Sequence, residues 1–418
     1  MMRQGIVNLL GRMTRLVPES LLYRVLPAKY RWDRAAMVTA TPPQTATRVF
    51  IGPVNSAGQG TRWARAVETL NGDVGAVSMA YTGIGEFGYP IDQGVPATGY
   101  VLSKSWQRAQ KEAVERGFTH VLLESERHLF GRVFDQTVAQ QVQGLIDAGI
   151  AVAFVSHGSD LRLPSRHAAA EPLSPFAPGE WSDTPKLEAE ATRNLALLES
   201  FDLPVFVSTL GLMPDAPAGA EWLPVVIDTD VWLPGDEVFV RERPVVVHAP
   251  SKGVVKGTAL IEPIMRRLHD EGLVEYRPIS GVPANEMPSV YRDADIVLDQ
   301  FRLGDYGVAA CEAMSAERVV IGHVSQGVRD EVFARTGQQL PIVQATPDDL
   351  EAVVRQLVAH PQGGQQTAKL GREFVVAQHD GRRSAAALAE FLGVQGPPHA
   401  GAENDTREQP GGGHGDAA

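Results

Sequence analysis

The chain has 418 residues and a formal net charge of −12 at pH 7, a length that suits two domains and a sign that opposes a general nucleic-acid-binding field. At 44% hydrophobic and 21% charged residues, the composition is that of a globular protein and not of a disordered or fibrous one. Its one cysteine, Cys311, excludes an intrachain disulfide and a cysteine-built zinc site and fits a reducing, cytoplasmic compartment, while no apolar run reaches the about 18 residues that cross a bilayer.

Residues 1–45 read as a separate N-terminal segment. It carries seven basic residues (Arg3, Arg12, Arg15, Arg24, Lys29, Arg31, Arg34) against Glu19 and Asp33. Ile6, Leu9, Leu10, Met13, Leu16 and Val17 fall near helical spacing, and Arg12 and Arg15 interrupt what would otherwise resemble a signal peptide. A basic amphipathic stretch of this kind over residues 1–34 either lies on an anionic membrane, at its inner face, or docks on the protein's own surface. Both readings stand at this point.

From residue 47 short apolar runs alternate with amphipathic helices. Strands are predicted at "RVFIG" (48–52), "VGAVSMA" (74–80), "HVLLES" (120–125), "AVAFVSHGSD" (151–160), "PVFVST" (204–209) and "LPVVI" (223–227). Helices are predicted around 61–70, 103–116, 136–147 and 186–200, with a Pro-rich excursion at 164–185. A polar, Pro-bearing stretch at 228–244 reads as a linker. A second series then follows: "PVVVHAP" (244–250), "VEYRPIS" (274–280), "DIVLDQF" (295–301), "RVVIGHV" (318–324) and "PIVQA" (341–345), with helices around 258–270 and 284–293 and closing helices over 347–392. Continuous β-branched runs are the mark of parallel strands buried on both faces. Two such series predict an α/β protein of two doubly wound, Rossmann-like domains, 46–238 and 239–393, facing across a cleft. Residues 394–418 are Gly-, Pro- and polar-rich and are predicted to be disordered.

Three places carry chemistry. In "HAPSKGVVKGT" (248–258), Lys252 and Lys256 flank a glycine-containing loop that enters a helix, so two ammonium groups can converge on a phosphate; spacing alone equally describes a plain surface. In "LGDYGVAACEAMSAERVVIGHV" (303–324), free amides near Gly307 and Val308 form an anion site at a helix start. Glu312 lies about one turn further in. A carboxylate among Val, Ala, Cys and Met is costly unless partnered; it either accepts hydrogen bonds from hydroxyls such as a ribose diol or pairs with an arginine, Arg318 or Arg302. Cys311 reads as a small core residue. At the end of the fourth predicted strand, His157 faces the cleft, and Asp160 either orients its imidazole or caps the next turn. "DTD" (228–230) invites a metal reading, but its place in the linker favours caps and turns.

The second half resembles the donor-binding domain of GT-B glycosyltransferases, in particular the large retaining group (family 4, or group 1, type) typified by sucrose and mannosyl transferases. Lys256-Gly257 matches the Lys-Gly that closes that group's strand-loop-helix, and "GVAACEAMSAERVVIG" (307–322) matches the second part of its Glu-x7-Glu block. "HGSD" (157–160) sits where the group has His-Gly-x-Asp, and "GPVNSAGQGTRWARAVETL" (52–70) fits its first glycine loop and helix. Three positions depart: Gly304 stands for the first Glu, Ser251 for a diphosphate-binding Arg, and Glu317 for the Gly after "EAM.A". The resemblance implies a metal- and cofactor-free, retaining hexosyl transfer from a nucleoside-diphosphate sugar to a glycan, lipid or small-molecule acceptor. It implies catalytic roles for His157, Lys256 and Glu312, and donor contacts at Ser251, Lys252, Gly257, Asp305, Tyr306, Gly307 and Val308. Gly58, Gln59, Gly60 and Asp160 fall on the acceptor side. Two alternatives remain: a non-catalytic nucleotide-sugar or glycan binder, made credible by Gly304, and a GT-B epimerase or pyridoxal-phosphate phosphorylase.

Overall fold

The structure, a computed structural model of the chain, describes residues 18–83 and 88–395. The predicted amphipathic stretch over 6–17 and nearly all of the predicted tail fall outside the described residues. Among the described residues no helix is long and apolar enough to cross a membrane.

The first domain is a seven-stranded parallel sheet. Its strands are β1 (Thr47–Gly52), β2 (Val74–Thr82), β3 (Gln93–Pro96), β4 (His120–Glu124), β5 (Ala151–Ser156), β6 (Val205–Val207) and β7 (Glu221–Trp222), in the order β3-β2-β1-β4-β5-β6-β7. Alternation of side chains explains the continuous apolar runs. Phe50 of β1 packs with Val121 and Leu123 on one face, whereas Val49 and Ile51 pack with Leu122 and Val155 on the other. The helices are α1 (Glu19–Val25), α2 (Gln59–Glu68), α3 (Ala97–Leu102), α4 (Lys104–Gly117), α5 (Val138–Asp147), α6 (Pro164–Ala170) and α7 (Thr184–Glu199). Thr137 and Gln140 close a capping box at the start of α5. Residues 18–32 dock on this domain: Leu22, Leu26, Tyr30 and Trp32 bury against Leu102, and the Glu19 carboxylate accepts hydrogen bonds from Ser103 and Ser105.

The second domain is a five-stranded parallel sheet of β8 (Val245–His248), β9 (Glu275–Pro278), β10 (Ile296–Leu298), β11 (Val319–Gly322) and β12 (Val343–Gln344), ordered β12-β11-β10-β8-β9. Its helices are α8 (Gly253–Lys256), α9 (Thr258–Asp270), α10 (Met287–Arg292), α11 (Val308–Ser315), α12 (Gln326–Thr336), α13 (Leu350–Ala359) and α14 (Pro361–Gln378). In both sheets strand order reverses beside a central strand, between β1 and β4 and between β8 and β10. Such switch points open a crevice at the carboxyl ends of the strands.

Two expectations need correcting. Residues 223–227 form no strand. Leu223 N still reaches Val207 O, but several of the following backbone groups are taken by side chains: Pro224 O by Trp63 and Ser384, Val225 O by His379, Val226 N by Gln59. And α15 (Arg382–Ala389) does not belong to the second domain, since Ala385, Leu388 and Leu392 pack into the core formed by Val49, Ile51 and Trp63. The chain therefore returns to the first domain near His379, well before the predicted boundary at 393.

Candidate active site between the two domains

On the first domain, the strand ends deliver a histidine and a carboxylate. Glu124, at the end of β4, is fully buried; its Oε2 accepts the amides of Val54 (3.1 Å) and Asn55 (2.9 Å), and its Oε1 lies 3.1 Å from His157 Nε2. The His157 ring stacks on Trp63 of α2, with centroids 5.4 Å apart. Burial works against the charged imidazolium. The Glu124 hydrogen bond and the charges of Glu124 and Asp160 outweigh it, so the His157 pKa lies above its ordinary 6.5. Asp160 does not reach the imidazole. Its carboxylate takes the amides of His157 (2.9 Å), Gly158 (2.6 Å) and Leu161 (3.1 Å), so it caps the turn. Gly60 lets α2 approach, since a Cβ there would stand 3.2 Å from Glu124 Oε2. Gln59 pairs both ways with the backbone of Val226 (2.6 and 3.2 Å), which makes it a structural strut. Gly58 lies against Tyr89 at the cleft wall.

On the second domain, β8 leads through Ser251 and Lys252 into α8, which ends at Gly257 with φ 76°. Lys256 bonds to Asp299 at the end of β10, an acid only 4% exposed. Glu312 is 7% exposed, and its Oε1 has no hydrogen-bond partner. Burial pushes its pKa from 4.5 up to about 7, against the opposing charges of Arg62 and Lys256. The arginine beside it is not Arg318 or Arg302. It is Arg62 of α2, across the cleft, whose Nη2 stands 3.6 Å from Glu312 Oε1 while Nη1 donates to Val226 O (3.1 Å). Arg318 instead serves the carbonyls of Ala294, Ala316 and Asp236, and Arg302 those of Leu173 and Ser174.

Two cavities flank this arrangement. One of ≈ 240 Å³ gathers His157, Lys252, Lys256, Asp305, Tyr306 and Gly307, with Phe176 and Trp181 on its wall. The other, of ≈ 630 Å³, is lined by Gly58, Arg62, Tyr89, Asn285 and Glu312 among others. The first turn of α11 separates them, with Gly307 on the smaller and Glu312 on the larger. The smaller holds two lysines and Gly307 at a helix start, the equipment for phosphate. The larger holds an acid with one oxygen open to a hydrogen bond, the equipment for hydroxyls. Gln59, Gly60, Asp160, Ser251, Gly257 and Val308 line neither cavity. Asp228 caps its own turn by accepting the amides of Asp230 (3.1 Å) and Val231 (3.2 Å). Among the described residues no three His, Cys, Asp or Glu side chains form a metal-holding group.

Three residues of the β10–α11 loop, Arg302, Leu303 and Asp305, are gripped by the first domain. Arg302 donates to Leu173 O (2.9 Å) and Ser174 O (2.8 Å), and Leu303 O meets His167 Nε2 (3.2 Å). Asp305, which lines the smaller cavity, pairs with Arg162 Nη2 at 2.9 Å, both groups buried. At Gly304, with φ 60°, a Cβ would sit 2.6 Å from Glu171 Oε2, itself 3.0 Å from His323 Nε2. A first-domain carboxylate thus fills the room that a side chain at 304 would take. Sequence reasoning missed Glu124, Arg62, Arg162, Glu171 and Trp181. Only Glu124 left a signal, an acid closing the apolar run "HVLL".

No protein-family model matches the chain, and no curated protein matches its sequence. Solved structures do. Sucrose-phosphate synthase from Thermosynechococcus elongatus is 13% identical with a TM-score of 0.55, the match covering 82% of this chain and 97% of that one. The Anabaena protein HepE, in complex with UDP and glucose, is 11% identical with a TM-score of 0.53, covering 82% and 98%. The catalytic domain of starch synthase IV from Arabidopsis thaliana, bound to ADP and acarbose, is 10% identical with a TM-score of 0.51, covering 82% and 98%. The chain has the two-domain α/β GT-B fold.

Proposed function

We propose that the chain transfers a hexosyl group from a nucleoside-diphosphate sugar to an acceptor hydroxyl, with retention of configuration and without a metal. The observation that carries this reading is buried Glu312 on the larger cavity, whose Oε1 accepts no hydrogen bond and has only the Arg62 guanidinium at 3.6 Å, one helix turn from the Gly307 amide and the lysines on the smaller. An acid of that kind fits a ribose diol, and the cationic side fits a diphosphate. HepE, of the same fold, has been crystallised with UDP-glucose, in line with a donor of this class.

In the reaction the bond from the sugar's anomeric carbon to the diphosphate oxygen breaks, and a bond to the acceptor oxygen forms. Negative charge grows on the departing diphosphate, where Lys252, Lys256 and the amide of Gly307 stabilise it more than in the ground state. The acceptor's proton passes to the departing diphosphate oxygen, so no protein base is needed. His157, held by Glu124 and stacked on Trp63, presents its remaining ring nitrogen to the sugar.

One observation favours a second reading. The Glu124–His157 pair has the geometry of an oriented general base, and a base at that position would deprotonate the acceptor and give inversion. The anomeric configuration of the product, read by NMR, separates the two. For the function itself, UDP-, ADP- and GDP-sugars are screened for acceptor-dependent release of nucleotide with mass spectrometry of the product. Tight donor binding without release would identify a binding protein instead.

A further inference from the structure

The excursion at 164–185 does more than grip the second domain. It ends on the smaller cavity, where it places an aromatic pair. Phe176 is buried and stacks on Trp181, with centroids 5.7 Å apart and ring planes 17° from parallel. The His167 ring meets Phe176 edge-on at 5.2 Å. The Lys252 ammonium lies over the Trp181 ring, 5.8 Å from its centroid. Trp181 is half-buried and belongs to none of the hydrophobic cores. No step of the mechanism above uses it.

An indole that fills no core, held rigidly beside the phosphate-binding cations, is a recognition surface. The rigidity is built in: Arg302 pins the backbone at 173–174, and the Arg162–Asp305 pair fixes the start of the excursion. A phosphate held by Lys252 would leave any attached pyranose within reach of the same ring. Pyranose rings expose C–H faces that pack on aromatic surfaces, whereas a free diphosphate has none.

Resting on the donor reading above, we propose that Trp181 is the specificity-determining residue for the transferred sugar, packing against the C–H face of the hexose while Lys252 holds its phosphate. Affinities are measured by calorimetry on the full chain for UDP, ADP and GDP and for UDP-glucose, ADP-glucose and GDP-mannose. For the pair that the parent binds, Trp181→Ala is expected to weaken the nucleotide sugar about tenfold and to leave the free diphosphate within about twofold. Trp181→Phe is expected to restore most of the loss. A loss shared equally by sugar-bearing and sugar-free nucleotides means that Trp181 only positions Lys252, which overturns the proposal. So does an unchanged affinity for both. If the parent binds a diphosphate and its sugar equally well, this inference falls and the nucleotide reading stands. If it binds none of the six, the donor reading falls and takes this inference with it.

Discussion

Glu312→Gln keeps the shape of the side chain and removes its charge, so it isolates what the buried acid costs the free protein. The distance from the ordinary 4.5 to about 7 corresponds to about 3 kcal/mol, at about 1.4 kcal/mol for each pH unit. Because the folded pKa is the higher one, the native state holds its proton more tightly than the unfolded chain does. The parent therefore has this contribution in full below pH 4.5 and loses it as pH rises to about 7, beyond which the loss is complete. The glutamine variant loses nothing over that window. Denaturant unfolding of both proteins at intervals from pH 4.5 to 8, followed by tryptophan fluorescence, is expected to show the variant gaining on the parent by about 3 kcal/mol across the window. At pH 8 the same variant is expected to bind its nucleoside diphosphate more weakly by about 1–3 kcal/mol, the worth of a charge-assisted hydrogen bond. A stability difference that stays flat from pH 4.5 to 8 would refute the claim that burial of Glu312 outweighs its ion pair with Arg62.

Three further outcomes follow from the same geometry. Lys256→Ala strands buried Asp299 and is expected to cost about 3–5 kcal/mol of stability as well as diphosphate affinity; adding Asp299→Asn is expected to recover the stability, seen in thermal unfolding, but not the affinity, seen in calorimetry. Gly304→Glu restores the glutamate of the resembling group, yet it forces a left-handed residue into the space of the Glu171 carboxylate. It is expected to destabilise the fold by at least about 1–3 kcal/mol and to raise no activity, and a variant as stable as the parent would contradict this. Glu124→Gln removes the main support for the His157 imidazolium, so the midpoint of the His157 titration followed by NMR is expected to move down.

Much of the fold was legible because buried parallel strands write themselves as β-branched runs, and both sheets were predicted from them. β3 was not, because its Gln93, Gly94 and Pro96 carry no such pattern. Of the residues expected at the site, Lys252, Lys256 and Gly307 share a cavity, and Glu312 is buried at a cleft. What could not be read was every partner supplied from far away in the chain. Arg162 and Asp305 are 143 positions apart, and each looks like an ordinary surface charge in its own segment. The same holds for Arg62 opposite Glu312 and for Glu171 opposite Gly304. Only the packing of one domain on the other makes them neighbours. Gln59, expected on the acceptor side, has its polar head bonded to Val226, in a stretch predicted to be a strand.

The outgoing and returning connections lie side by side: Ile227 N donates to His379 O at 2.7 Å, and His379 Nδ1 donates to Val225 O at 2.8 Å. In topological terms the second domain is a cassette spliced into a discontinuous host, entering and leaving through a single doorway. Any swinging of that cassette has its pivot at this doorway and must unlatch the excursion on the opposite lip. A graft that exchanges residues between these two crossing points would swap the whole cassette while leaving the host's sheet where it is.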